Sequence, residues 1–292
     1  MVYLTREGIV VDPDWPANLG LDEYTLMFQQ RQLAFLLDVL GTPERVAETQ
    51  LRFSQARITC FGVGAVGSWL LRLLLGMGFR RFTLIDHGRC ESADVARHAF
   101  HGSRGWQEGA PKVQATAEAM RQQLPAVQVT TFDEPLTTDS RLEKLVACDT
   151  DLVINAADEP YIGYTSVLLS RHCVPRKLPL LVAGGFDAHL ASLGEMIVPN
   201  ETPCADCYAE FFRETLADWV PVTHPVTERA NGAAGLCSLS VFAAATAAMS
   251  VLRLLSGQSA GEGGRGELLF DRYALEHFHV DRRPDCPVCG AK

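Results

Sequence analysis

One stretch limits the fold more than any other: "ITCFGVGAVGSWLLRLLLGMGFRRFTLIDHG", residues 58–88. A β-branched and apolar run leads into Gly62, Gly64 and Gly67. A helical stretch follows, and a second strand-like run ends on Asp86. In that order, strand, glycine turn and helix let backbone come close to phosphate oxygens. The helix N-terminus then offers unpaired N–H groups and a partial positive charge. A carboxylate ending the second strand is placed to bond ribose hydroxyls. The unit predicts a strand over 57–62, a helix over 65–77 and a strand over 81–86. The same pattern can also be a bare strand-to-helix turn with no ligand.

β-α-β alternation continues downstream. The spacing predicts a helix opened by "GAPK" (109–112) and running to about 123, a strand "VQVTTF" (127–132) and a helix over 138–147. Next come a fully apolar strand "DLVINAA" (151–157), a helix over 160–173 and a strand "PLLVAGG" (179–185). Upstream, 22–40 reads as one helix stopped by Gly41 and 43–56 as a second. Residues 87–108 read as an irregular crossover. "ASLGEMIVP" (191–199) and "ELLFDRYALEHFHV" (267–280) read as strand-like runs, with a glycine-rich loop at 256–267. The fold class expected is α/β: a Rossmann-like, doubly wound, mostly parallel sheet with an antiparallel C-terminal extension. The expected division is a helical segment, 1–56, and a single domain, 57–292, whose part 200–292 is tied by a zinc site.

Composition excludes some functions. The apolar share of 47% and charged share of 21% suit a globular chain of 292 residues. A net charge of −9 without a basic cluster argues against nucleic acid and anionic membrane as partners. "LCSLSVFAAATAAMSVLRLL" (236–255) is the one membrane candidate, but its Ser, Thr, Ala and Arg253 favour a packed core helix. The N-terminus lacks a basic start followed by an apolar core, so a cytoplasmic location is expected. Of nine cysteines, Cys204/Cys207 and Cys286/Cys289 form two C-x-x-C pairs. In a reducing compartment such pairs read as a structural Cys₄ zinc site, with disulfides or free thiols as the other reading.

Three charged residues choose among nucleotides. Arg97 stands in the crossover, Lys112 at a helix start and Asp158 just past an apolar strand. All three fall near the strand ends where the ligand crevice of such a sheet opens. Two cations there suit a triphosphate better than a nicotinamide, and a carboxylate beside them can hold Mg²⁺. No His or Tyr–Lys acid/base set for hydride transfer stands out.

An ordered series of motifs carries a family resemblance: "QRQ" (30–32), "GVGAVGS" (62–68), "LIDHG" (84–88), "ADVARHAF" (93–100), "GAPK" (109–112), "VINAAD" (153–158), "CADC" (204–207) and "CPVCG" (286–290). The chain resembles the ubiquitin-activating-enzyme-like superfamily, the ThiF/MoeB/HesA type of adenylyltransferase, from about residue 31 to 290. The resemblance implies ATP and Mg²⁺, with the glycines and Asp94 in the nucleotide site. It implies Asp86 on ribose, Arg97 and Lys112 on the phosphates, and Asp158 on the metal. The resemblance further implies that Arg31 completes the phosphate site from the partner subunit of a homodimer. The implied reaction is adenylation of a carboxylate, typically the C-terminal glycine of a small β-grasp protein, either ubiquitin-like or a sulfur carrier. The resemblance also supports zinc on the four paired cysteines.

The chain departs from the family at several positions. Gly88 stands where relatives carry an acidic residue, Asp94 replaces an asparagine, Ala96 replaces a glutamine, and Asp158 is followed by Glu159. The interval from Arg97 to Lys112 is also longer. Many relatives carry a thioester-forming cysteine before the long C-terminal helix; the matching stretch here, "VTERANG" (226–232), has none. Cys237, at the start of the Ala-rich helix, is the remaining candidate, and a small apolar core residue is the preferred reading of it. An enzyme that only adenylates is therefore expected, handing the carboxyl to a downstream conjugating or sulfur-transfer protein. Other readings are activation of a small-molecule, peptide or modified-nucleoside carboxylate, a silent partner subunit, and an NAD-dependent oxidoreductase.

Overall fold

The computed structural model describes residues 3–4, 10–11, 19–183, 190–218, 236–258 and 264–290. A small ladder pairs β1 (Tyr3–Leu4) with β2 (Val10–Val11). Three helices follow: α1 (Glu23–Phe28), α2 (Gln30–Leu40) and α3 (Pro43–Gln55). The single helix expected over 22–40 is broken at Gln29. That side chain turns inward and donates to the Gly76 carbonyl at 2.9 Å. Gln32 and Gln50 both donate to the next carbonyl, Met77. Side-chain amides thus satisfy the end of a neighbouring helix that has no capping side chain of its own.

The central sheet begins with β3 (Arg57–Phe61), α4 (Ala65–Gly76) and β4 (Arg81–Ile85), the unit the glycines specify. It continues through α5 (Lys112–Gln123), β5 (Gln128–Phe132), α6 (Leu142–Leu145), β6 (Leu152–Asn155), α7 (Ile162–Cys173) and β7 (Leu180–Val182). The helix expected over 138–147 shrinks to α6. Ser140 turns the chain before it, accepting from the Thr137 N–H and donating to the Pro135 carbonyl. Residues 184–185 of the expected strand 179–185 lie outside the described residues, as do 226–232 and 259–263.

"ASLGEMIVP" is not one strand. Gly194, at φ +87°, turns the chain between β8 (Leu190–Ser192) and β9 (Glu195–Ile197), which enter different sheets. Helix α8 (Ala205–Thr215) follows. After α9 (Cys237–Leu255), β10 (Gly264–Leu269) and β11 (Ala274–His279) close a hairpin.

The six-stranded order is β5-β4-β3-β6-β7-β9, parallel except for β9, and β11-β10-β8 forms a second, antiparallel sheet. The mixed α/β class with a mostly parallel central sheet is as expected. Successive strand residues feed opposite faces. Ile58, Cys60, Ile154 and Leu181 join one apolar cluster with α2–α5 and α9. Phe61, Val153, Leu180 and Val182 join another with α7 and the paired cysteines. Helix α9 is long and apolar enough to cross a membrane, yet it lays Ala244, Ala247, Ala248 and Val251 into the first cluster, against α4. Small side chains allow that close helix–helix approach.

Candidate active site

The chain runs from β3 to β4 to β5 in one direction and then places β6 on the other side of β3. The crevice at such a reversal is where open α/β sheets bind ligands. A cleft of ≈ 950 Å³ opens there, lined by the loops that follow β3, β4, β5 and β6. Its size suits a nucleotide.

The glycines divide the work. Gly62, at φ +85°, lines the cleft, and a Cβ on it would run into the Ala156 backbone. Gly64 also lines the cleft, and a Cβ there would meet nothing within 4 Å. That open space at the start of α4 is where a phosphate can reach backbone N–H groups. Gly67 does not line the cleft. A Cβ on it would strike the Gly62 carbonyl, so the close packing of this turn requires a glycine there.

Both backbone polar groups of Val63 are held. Its N–H donates to Asp86 Oδ2 at 2.7 Å, and His98 Nε2 lies 2.8 Å from its carbonyl. His98 Nδ1 accepts the Phe100 N–H, so Nε2 carries the proton. Burial pushes the His98 imidazole down to about 4, against the Val63 carbonyl and Asp94, so it is neutral. Asp86 Oδ1 accepts the Gly88 N–H at 2.6 Å. Space explains Gly88 itself: a side chain there would press on Asp86 and Lys112. His98 was missed as a functional residue, although "ADVARHAF" contains it.

Arg97 and Lys112 both line the cleft. The indole N–H of Trp69 donates to the Arg97 carbonyl, fixing that turn. Asp94, expected as a ligand contact, is not in the lining. It is buried behind the two cations, 3.1 Å from Arg97 Nε and 3.2 Å from Lys112 Nζ through the same Oδ1. Burial alone would raise the Asp94 carboxyl; the Glu91 N–H, Lys112 and Arg97 hold it below the usual carboxylate range.

Asp158, in the loop after β6, also lines the cleft. Buried Asn155 fixes its loop by donating to Thr165 and Ser166 and accepting the Ala157 N–H. Burial, with Glu159 and Asp86 nearby, raises the Asp158 carboxyl despite its own N–H and Arg97. A carboxylate raised in this way gains from a cation beside it. Across the mouth, His87 Nε2 stands 3.2 Å from Glu159 Oε2. Arg31 sits on the exposed side of α2 and is not in this cleft.

The four paired cysteines converge away from the cleft. Their sulfurs all lie within 4.8 Å of one another, with Cys204–Cys286 at 3.5 Å and Cys207–Cys289 at 3.4 Å. Four thiolates around one Zn²⁺ stand about 3.8 Å apart, from Zn–S bonds of about 2.3 Å, so the donor set fits. Without a cation, burial pushes the Cys207 thiol up to about 11. Cys237 is the first residue of α9 and half-buried.

The chain belongs to the ThiF family, whose pattern matches residues 30–288. It is 30% identical to mouse adenylyltransferase and sulfurtransferase MOCS3 over 253 residues, 85% of this chain and 50% of that protein. It is 24% identical to molybdopterin-synthase adenylyltransferase of Salmonella typhimurium over 250 residues, 83% of this chain and 90% of that one. It spans about half the length of the MOCS3 and UBA4 relatives that it matches along most of its own length. The crystal structure of E. coli MccB with ATP shares the fold, with a TM-score of 0.72 at 17% identity, covering 97% of this chain and 77% of that one.

Proposed function

We propose that this chain adenylates the C-terminal carboxylate of a small β-grasp protein, ubiquitin-like or a sulfur carrier, at the expense of ATP. The observation that carries this reading is the convergence of Arg97, Lys112, Asp86 and Asp158 on one cleft at the carboxyl ends of the parallel strands. The similarity to two adenylyltransferases supports it. A carboxylate oxygen attacks the α-phosphorus of ATP, and the bond from that phosphorus to the β-bridging oxygen breaks. The products are an acyl adenylate and pyrophosphate. No proton has to move, so the chain supplies alignment and charge neutralisation rather than acid–base chemistry.

Each residue then has a role. Asp86 uses one lone pair of each oxygen on backbone N–H groups and keeps the others for ribose hydroxyls. Arg97 and Lys112 neutralise the departing phosphates. Asp158 holds Mg²⁺, which when bound neutralises phosphate oxygens. Arg31 reaches the phosphates from the partner subunit of a homodimer. Exposed Met27, Phe28, Phe35 and Val39 on α1 and α2 support an interface there. Cys204, Cys207, Cys286 and Cys289 hold a structural zinc, in keeping with a reducing, cytoplasmic setting. The activated acyl group passes to a cysteine of another protein, or to an amine or sulfur donor, and AMP leaves.

A second reading is activation of a peptide carboxylate. It is supported by the fold shared with MccB, which has been solved in complex with N-formylated MccA. ATP–pyrophosphate exchange tests both. The wild type exchanges label when given a β-grasp carrier ending in Gly-Gly, or a peptide, and Asp158→Ala does not. A wild type that binds ATP but exchanges with neither is a silent subunit, and one that binds no ATP overturns the reading.

A further inference from the structure

We propose that Asp94 is a positioning residue that lowers the affinity of the phosphate site so that pyrophosphate leaves the cleft. This rests on the adenylation reading above. The carboxylate is 1% exposed, and Lys112, 12% exposed, is almost as enclosed. Oδ1 accepts from both Arg97 Nε and Lys112 Nζ, while Oδ2 accepts the Glu91 N–H at 3.0 Å. The carboxylate therefore grips both cations from outside the cleft lining, while both remain in that lining.

Only a carboxylate can make this arrangement. It accepts on both oxygens, whereas an amide accepts on one and donates on the other. An asparagine at 94 would turn its NH₂ either on the Glu91 N–H or on the two cations. Asp94 thus brings one negative charge to two positive ones. A triphosphate entering the cleft meets cations already partly satisfied and competes with Asp94 for them. The same holds for pyrophosphate after the α-phosphorus–oxygen bond has broken. Binding substrate and product less tightly in the ground state does not cost the transition state equally. Charge on the leaving phosphates is still building in the transition state and is complete only in pyrophosphate, so Asp94 weakens the hold on the released product more than on the transition state.

The test measures pyrophosphate binding by calorimetry, together with ATP kinetics, for the wild type, Asp94→Asn and Asp94→Glu. Asp94→Asn is expected to bind pyrophosphate about tenfold tighter at low salt. Its kcat is expected to fall together with its KM for ATP. Asp94→Glu keeps the charge and is expected to stay within about twofold of the wild type. Asp94→Asn binding pyrophosphate no tighter than the wild type would overturn the proposal. Should Asp94→Asn be unfolded by circular dichroism, refolding in millimolar pyrophosphate supports it, because an anion in the cleft then supplies the negative charge that the two cations have lost. Failure to refold overturns it and leaves Asp94 a residue of the fold. A wild type that binds neither ATP nor pyrophosphate overturns the adenylation reading instead.

Discussion

His98 Nε2 donates to the Val63 carbonyl at 2.8 Å and so fixes the glycine turn from the side opposite Asp86. The ring is also an acceptor, since Nδ1 takes the Phe100 N–H; that bond requires a neutral imidazole, and burial supplies one by pushing His98 from 6.5 down to about 4. Between those values the unfolded chain binds the proton and the native chain does not. The stabilisation from this group is therefore full above pH 6.5 and is lost as pH falls toward 4. A displacement of this size corresponds to on the order of 3 kcal/mol. Thermal melts of the wild type are expected to drop across that window, and His98→Gln to flatten the drop while weakening ATP binding severalfold. Parallel melting curves for the two proteins would remove His98 from this role.

Gly64 and Gly67 separate ligand contact from packing. A Cβ at 67 meets the Gly62 carbonyl, which belongs to the backbone and cannot move aside cheaply. Gly67→Ala is expected to lose about 1–3 kcal/mol of stability in denaturant melts. A Cβ at 64 meets only the cleft. Gly64→Ala is expected to melt within about 1 kcal/mol of the wild type but to lose ATP affinity at least tenfold. Normal ATP affinity in Gly64→Ala would move the phosphates away from this turn.

The cysteine cluster makes its own test. Mass spectrometry under native conditions is expected to find one zinc ion per chain, absent from Cys204→Ser. Metal-binding energy in a closed Cys₄ site is folding energy, so chelator or Cys204→Ser is expected to lower stability by several kcal/mol. A chelator-treated chain that melts like the untreated one would leave these thiols without a structural metal.

How legible the sequence was depended on how local the cause was. The glycine turn, α5 opened by Pro111, and the C-x-x-C pairs follow from neighbouring residues, and the structure carries all three. The break at Gln29 depends on the carbonyl of Gly76, distant in sequence, so periodicity alone ran the helix through it. Asp94 shows the same limit inside the site. Its motif position marked it as a ligand contact, and only the placement of Lys112 shows that it stands behind the cations. Gly67 went the same way, because the spacing of glycines does not say which of them faces open space.

Arg31 gives the sharpest test of assembly. It lies outside the cleft of its own chain, whereas Asp158 lines that cleft. If each active site takes Arg31 from one subunit and Asp158 from the other, Arg31→Ala and Asp158→Ala fail for different reasons and complement each other. Each is expected to be inactive in ATP–pyrophosphate exchange when purified alone. Co-expressed in equal amounts, half of the dimers are mixed, and each mixed dimer holds one intact site. Activity is then expected to return to about a quarter of the wild-type value. Activity that stays at the level of the separate variants would place Arg31 outside the phosphate site of either subunit.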